Sequence, residues 1–244
     1  MEINYAASFP AGKSFRLQDL SDTLKEKGCS FSDETLRKKL KKAVDEGKLL
    51  KEGRNRYVVP ENGMCQYSHV YSEYAVEIAN KILTQHPYLD FSIFELVQLN
   101  EFVNHQIAHN VVFIAVEKDI SGFVFDTLKN AFPGKVLIQP TPESYHQYWT
   151  DDMIVITKLI SQRPVFKKNR WQVRLETMLV DLFADSLLKN AVSEGEYPII
   201  LDNAFHNFVL DENSMFRYAK RRNVAKKIRE MIEEKTNISL RTEG

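Results

Sequence analysis

Five cations fall within six positions at Arg37, Lys38, Lys39, Lys41 and Lys42, and Arg54, Asn55 and Arg56 follow shortly after. Lysine and arginine at that density suit a polyanion, because each can neutralise one phosphate and release its counterion. Thr35, just ahead of the cluster, adds a hydroxyl that could reach a base edge or a phosphate. A second basic group, Arg217, Lys220, Arg221 and Arg222, surrounds Tyr218. A tyrosine among cations can stack or bind a phosphate, which makes this stretch a candidate phosphate surface.

The acidic residues suggest a rival chemistry. Asp90, the run Glu117-Lys118-Asp119, and Asp181 with Asp185 are the clusters that a metal-dependent nuclease of restriction-enzyme type would draw on. Such a site wants two carboxylates and a lysine on one face. Glu117 and Lys118 are adjacent, so strand alternation sends them to opposite faces. His105 and His109 have an i, i+4 spacing that could share a metal only on a helix, and no glutamate of the metalloprotease pattern lies between them. The sequence contains no Gly-rich phosphate loop, no nucleophile elbow and no calcium loop. No catalytic residue, metal or cofactor is assigned. Besides the nuclease, the alternative to nucleic-acid binding is a protein-interaction module whose basic helix packs on an acidic surface.

The elements that would carry the cations are legible. Leu17, Leu20 and Leu24 line one face of a helix that Gly28 ends. A second helix follows: Ser32 or Asp33 caps it, Leu36, Leu40, Ala43 and Val44 form its buried stripe, and Gly47 closes it. Leu49-Leu50 and Tyr57-Val58-Val59 flank turn residues Glu52 to Asn55 as a hairpin. Helix, turn, helix and basic hairpin together predict a winged helix over residues 1–62 that binds duplex DNA. Asp181 and Asp185 are then expected to pair with neighbours such as Arg174 or Lys189.

Turn formers at Pro60 to Gly63 place a boundary at 62, and residues 63–244 predict an α/β (α+β) domain. Its first helix spans Tyr67 to Gln85, and the run from Leu89 to Gln106 is ambiguous between strand and helix. Apolar runs at 111–117, 135–140 and 153–159 predict a small, mostly parallel or mixed sheet covered on both faces. From Val173 onward the chain predicts a helical cap, with residues 211–234 as one last helix. Lys and Arg total 33, as do Asp and Glu. Residues 1–60 nevertheless hold 13 basic against 9 acidic side chains, 61–210 hold 11 against 18, and 211–244 hold 9 against 6. Two cysteines, Cys29 and Cys65, exclude a disulfide scaffold. With no signal-peptide core and no membrane-length apolar run, a cytoplasmic protein is expected.

Two C-terminal segments carry a resemblance: Leu175, Glu176, Met178 or Leu179, Val180 and Asp181, then Met215, Tyr218, Ala219 and Lys220 to Arg222. They are similar to the AbiEi-like antitoxins of abortive-infection, type IV toxin–antitoxin systems, in which a Leu-Glu-x-x-Leu-Val-Asp helix precedes a Leu-x-x-Tyr-Ala-basic helix. Met215 stands where leucine is commoner. The resemblance implies a prokaryotic regulator that represses its own operon through the winged helix. Its C-terminal domain would counter a nucleotidyltransferase-like toxin, without necessarily touching it. It carries Arg37, Lys38, Lys39, Arg54 and Arg56 over as contacts to operator DNA.

Overall fold

The computed structural model describes residues 3–61, 64–166 and 169–240. The first unit runs β1 (Ser14–Arg16), α1 (Leu17–Glu26), α2 (Asp33–Asp45), β2 (Leu50–Gly53) and β3 (Arg56–Val58). Its antiparallel sheet has the order β1-β3-β2, the arrangement of a winged helix. Leu20, Leu24, Leu36, Leu40 and Ala43 meet Phe15, Leu49, Tyr57 and Val59 in one core. Ile3 and Tyr5, from a segment without regular structure, complete it. Ser32 caps α2 by accepting from the Thr35 amide, and Gly28 and Gly47 leave the two helices with left-handed backbone. Gly53 pairs with Arg56, so the hairpin loop is Arg54-Asn55, with Asn55 at φ 56° and Glu52 as an extra residue in a bulge.

The second unit contains α3 (Glu73–Gln85), β4 (Phe91–Glu95), β5 (Val111–Val116), α4 (Ser121–Ala131), β6 (Val136–Ile138), α5 (Pro142–Gln147) and β7 (Met153–Lys158). Helices α6 (Leu175–Ala184), α7 (Glu196–Asn207), α8 (Glu212–Arg221) and α9 (Ala225–Lys235) follow. The sheet order is β4-β5-β7-β6, with β4 antiparallel to β5 and the other three strands parallel. Alternation explains the continuous apolar runs. Val112, Ile114, Ile154 and Ile156 face α3 and α4, whereas Val111, Phe113, Met153 and Val155 face the core that α6 to α9 build. The molecule is a mixed α/β fold with a helical cap. Among the described residues no helix is long and apolar enough to cross a membrane.

Two boundaries differ from the sequence expectation, and one open reading is resolved. Residues 67–72 are not helical, because α3 starts at Glu73, where the Ser72 hydroxyl accepts from the Ala75 amide. Ser72 itself is anchored through its amide and hydroxyl to the buried Glu95 carboxylate. The ambiguous run resolves into β4 followed by a 3-10 turn over Leu96–Glu101. The single last helix is two helices. Asn223 adopts φ 59°, and the Val224 amide reaches back to the Ala219 carbonyl at 3.0 Å, the closure of a helix end.

The boundary at 62 lies outside the described residues. On either side of it the units touch. Leu50 and Val58 of the first sheet bury against Val209 and Met64, and Cys65 pairs with Phe208 as an isolated parallel bridge. Gly53 abuts the cap of α8: a β-carbon there would lie 2.8 Å from Asp211 Oδ2. Asp211 is engaged, since its Oδ1 accepts from the Ser214 amide. Gly53→Ala therefore displaces a working helix cap and is expected to cost about 1 kcal/mol. In an Asp211→Ala background the same substitution is expected to cost nothing, and urea unfolding of the four-member cycle measures the difference.

Candidate nucleic-acid interface

On α2 the buried stripe turns Arg37, Lys38, Lys41 and Lys42 to solvent. Lys38 Nζ lies 2.8 Å from Glu34 and Lys42 Nζ 3.5 Å from Glu46, with both lysines more than three-quarters exposed. Exposed pairs of this kind contribute little, so phosphates can replace the carboxylates at small cost. Arg37 and Lys41, one turn apart, have no carboxylate within ion-pair distance among the described residues. Arg37 opposes electrostatically the rise that burial gives the Tyr57 hydroxyl, which places it close to the hairpin. Two expected contacts are positioned otherwise. Thr35 is half-buried with its hydroxyl 2.9 Å from Ser32 Oγ, and Lys39 lies over the Phe31 ring at 5.3 Å.

The hairpin divides its residues. Arg54 and Asn55 are exposed at the tip. Arg56 turns inward: its Nε lies 3.0 Å from Glu52 Oε2, and its Nη2 donates to Ser14 Oγ at 2.7 Å. The reason is strand alternation. Tyr57 enters the winged-helix core, so Arg56 and Val58 occupy the opposite sheet face, where Val58 meets the second unit. Arg56 is thus a strand-to-strand tie, a correction to its expected role as a phosphate contact.

The C-terminal basic group divides in the same way. Arg217, Lys220 and Arg221 are exposed, with Arg221 Nε donating to Ser161 Oγ at 3.0 Å. Tyr218 is buried, and its hydroxyl donates to Asp181 Oδ1 at 2.9 Å. Arg222 Nε is 3.1 Å from the same oxygen, and Arg222 Nη2 is 3.9 Å from Asp185 Oδ2. Tyr218 and Arg222 are thereby removed from the expected phosphate surface. Nor do the two aspartates pair with Arg174 or Lys189. Arg174 engages Glu176, and Asp185 Oδ1 accepts from the amides of Leu187 and Leu188.

Glu176 and Asp181 act as the two ends of a clamp. Glu176 Oε1 accepts from the Asp211 amide at 2.8 Å where α8 begins, and Asp181 holds Tyr218 and Arg222 where α8 ends. Both carboxyls titrate above their ordinary range. Burial raises Glu176 against the pull of Arg174. Burial likewise pushes Asp181 up to about 6, opposed by Arg222 and the Tyr218 hydroxyl and reinforced by Asp185.

The acidic clusters are scattered or already neutralised. Asp90 is held by Arg163 at 2.9 Å and Arg170 at 3.5 Å. Phe91 pairs with Val116, so Asp90 and Glu117 sit at one end of neighbouring strands, but Glu117, Lys118 and Asp119 are exposed there. Among the described residues no group of three or more His, Cys, Asp or Glu is arranged to hold a metal ion. His105 and His109 lie outside any helix and face separate partners, Glu196 at 3.2 Å and Asp151 at 2.8 Å. Their i, i+4 spacing therefore brings nothing together.

Residues 35–238 match the model of a family of unknown function, DUF6577, and the chain belongs to that family. The match begins inside α2 and runs beyond α9, taking in the wing, the sheet and the α6–α8 clamp. No curated protein matches the chain. Among solved structures, the crystal structure of RV2827C protein from Mycobacterium tuberculosis is similar at 10% identity and a TM-score of 0.25, covering 95% of this chain and 78% of that one. A likeness that low carries no argument.

The clamp makes a pH prediction. A carboxyl with a higher pKa in the fold than in the open chain holds its proton more tightly when folded. Its contribution is fully present below about 4 and is lost as pH rises through about 6. For Asp181 the loss by pH 7 is about 3 kcal/mol. Asp181→Asn is expected to flatten that part of the stability profile, measured by urea unfolding between pH 4.5 and 7. Parallel profiles for the two proteins would refute it.

Proposed function

We propose that the protein is a DNA-binding regulator that grips duplex DNA with α2 and the β2–β3 loop. One observation carries the reading: Arg37, Lys38, Lys41 and Lys42 stand exposed on a helix whose opposite face is locked into an apolar core. A helix pinned by its core presents its cations to phosphates without first losing backbone disorder. The N-terminal turns of a recognition helix lead into the major groove while a wing follows the backbone. Arg37 belongs to that leading part, and Arg54 with Asn55 to the wing.

The resemblance to AbiEi-like antitoxins supplies the biological setting. In this reading the operator lies upstream of the protein's own gene, the regulator works in the cytoplasm, and a nucleotidyltransferase-like toxin is encoded beside it. The exposed Arg217, Lys220 and Arg221 are then the residues open to a nucleic-acid or nucleotide partner of the C-terminal domain. No catalytic step is proposed.

Fluorescence anisotropy with upstream and unrelated duplexes tests the DNA reading. Arg37→Ala, Lys41→Ala and Arg54→Ala are each expected to weaken binding on both duplexes and to lower the salt slope by about 1. Arg56→Ala is expected to show a different signature, a lower urea midpoint, because the ion pair to Glu52 and the bond to Ser14 that tie the strands are lost. Absence of binding to any duplex at low salt would end this reading. The antitoxin part has its own measurement: co-expression should relieve growth arrest caused by the neighbouring toxin gene, and undiminished arrest would remove it.

A further inference from the structure

A small crevice opens between α6 and the carboxyl ends of the paired strands β5 and β7. Ala115 of β5 and Thr157 and Lys158 of β7 line it, together with Arg163, Asp181 and Arg222. The chain leaves β5 toward α4, on one face of the sheet, and leaves β7 toward α6, on the other. Open α/β sheets receive ligands where neighbouring strands send their connections to opposite sides, because the two connections leave a crevice between them at the strand ends. The gap here has a volume of about 50 Å³. On the same measure a single water needs about 10–15 Å³, so the space admits a compact polar group of a few heavy atoms.

The chemistry of the lining selects that group. The Arg163 side chain is 5% exposed. Its Nη2 donates to Asp90 Oδ1 and the Phe91 carbonyl, whereas its Nε and Nη1 have no partner among the described residues. A guanidinium has donors and no acceptor, so whatever satisfies those nitrogens must bring lone pairs. Asp90 does not fully compensate this charge, being about one-third exposed and shared with Arg170. Phe94, Phe113, Val173 and Met178 supply apolar walls that strengthen any ionic hydrogen bond formed between them. Arg222 lines the same space but is matched there by Asp181 and Asp185, which leaves Arg163 as the cation with donors to spare.

We propose that this crevice is a binding site for a small molecule bearing one oxyanionic group, a carboxylate or a phosphate, received by Arg163. The anion accepts from the unused Arg163 nitrogens and balances the buried charge. This site is separate from α2 and stands whether or not α2 reads DNA.

Thermal unfolding of the full chain tests it, with sodium phosphate and sodium acetate as separate probes against chloride at equal ionic strength. A saturable rise in Tm is expected with at least one probe, about 3–5 °C at ten times its dissociation constant. The responding probe identifies whether the anionic group is a phosphate or a carboxylate. Arg163→Gln is expected to reduce affinity at least tenfold, the scale for truncating one partner of a buried charged hydrogen bond. Ala115→Leu keeps both arginines and fills the crevice, and is expected to abolish the rise; it decides the matter if Arg163→Gln fails to fold. No rise with either probe beyond chloride, or a rise that survives the crevice-filling substitution, would overturn the proposal.

Discussion

The packing of α8 against α6 depends on two carboxylates of α6, one buried and one half-buried, and much of the molecule depends on that packing. Glu176 receives the first amide of α8's cap, and Asp181 receives the hydroxyl of Tyr218 and the guanidinium of Arg222 at the other end. With both ends held, α8 has one position on α6. From that position Met215, Phe216 and Ala219 reach the core, Asn223 turns the chain into α9, and Asp211 stands against Gly53 of the wing. Removing either carboxylate leaves buried donors unpaired, which is costlier than the loss of the bond itself.

Three kinds of cation therefore coexist in a chain of zero net charge. Those of α2 sit above an apolar stripe and keep their field directed outward. Arg56 and Arg222 are turned inward and neutralised by Glu52 and by Asp181 with Asp185, so they tie strands and helices together. Arg163 is buried beside a carboxylate that is about one-third exposed and shared with Arg170, and keeps donors to spare. Charge at a position says nothing of which kind it is; the surrounding backbone does.

Much of the architecture was readable from spacing. Leu17, Leu20 and Leu24, or Leu36, Leu40 and Ala43, can bury together on a helix, and the apolar runs 111–117 and 153–159 are short and β-branched, as covered strands are. Ser32 marked a helix start, and Gly28 and Gly47 marked helix ends, through local backbone chemistry. The reading failed where a long-range partner overrode the local pattern. Residues 67–72 continue an apolar period but yield to Ser72, held by Glu95 from a strand far along the chain. Residues 211–234 read as one amphipathic helix, with Asn223 the only local hint of a break.

By itself, then, the sequence determined the class of fold, the order of the elements, the rigid basic helix and the clustering of arginines near residues 54 and 217, because these follow from period, caps and composition. Tertiary structure decided which of those arginines remain available. Arg54 and Arg56 are two residues apart, and so are Lys220 and Arg222, yet one of each pair faces water and the other a carboxylate. That outcome depends on which sheet face meets the second unit and where α6 places Asp181. Such facts arise only when segments distant in the chain come into contact, so no local spacing can encode them.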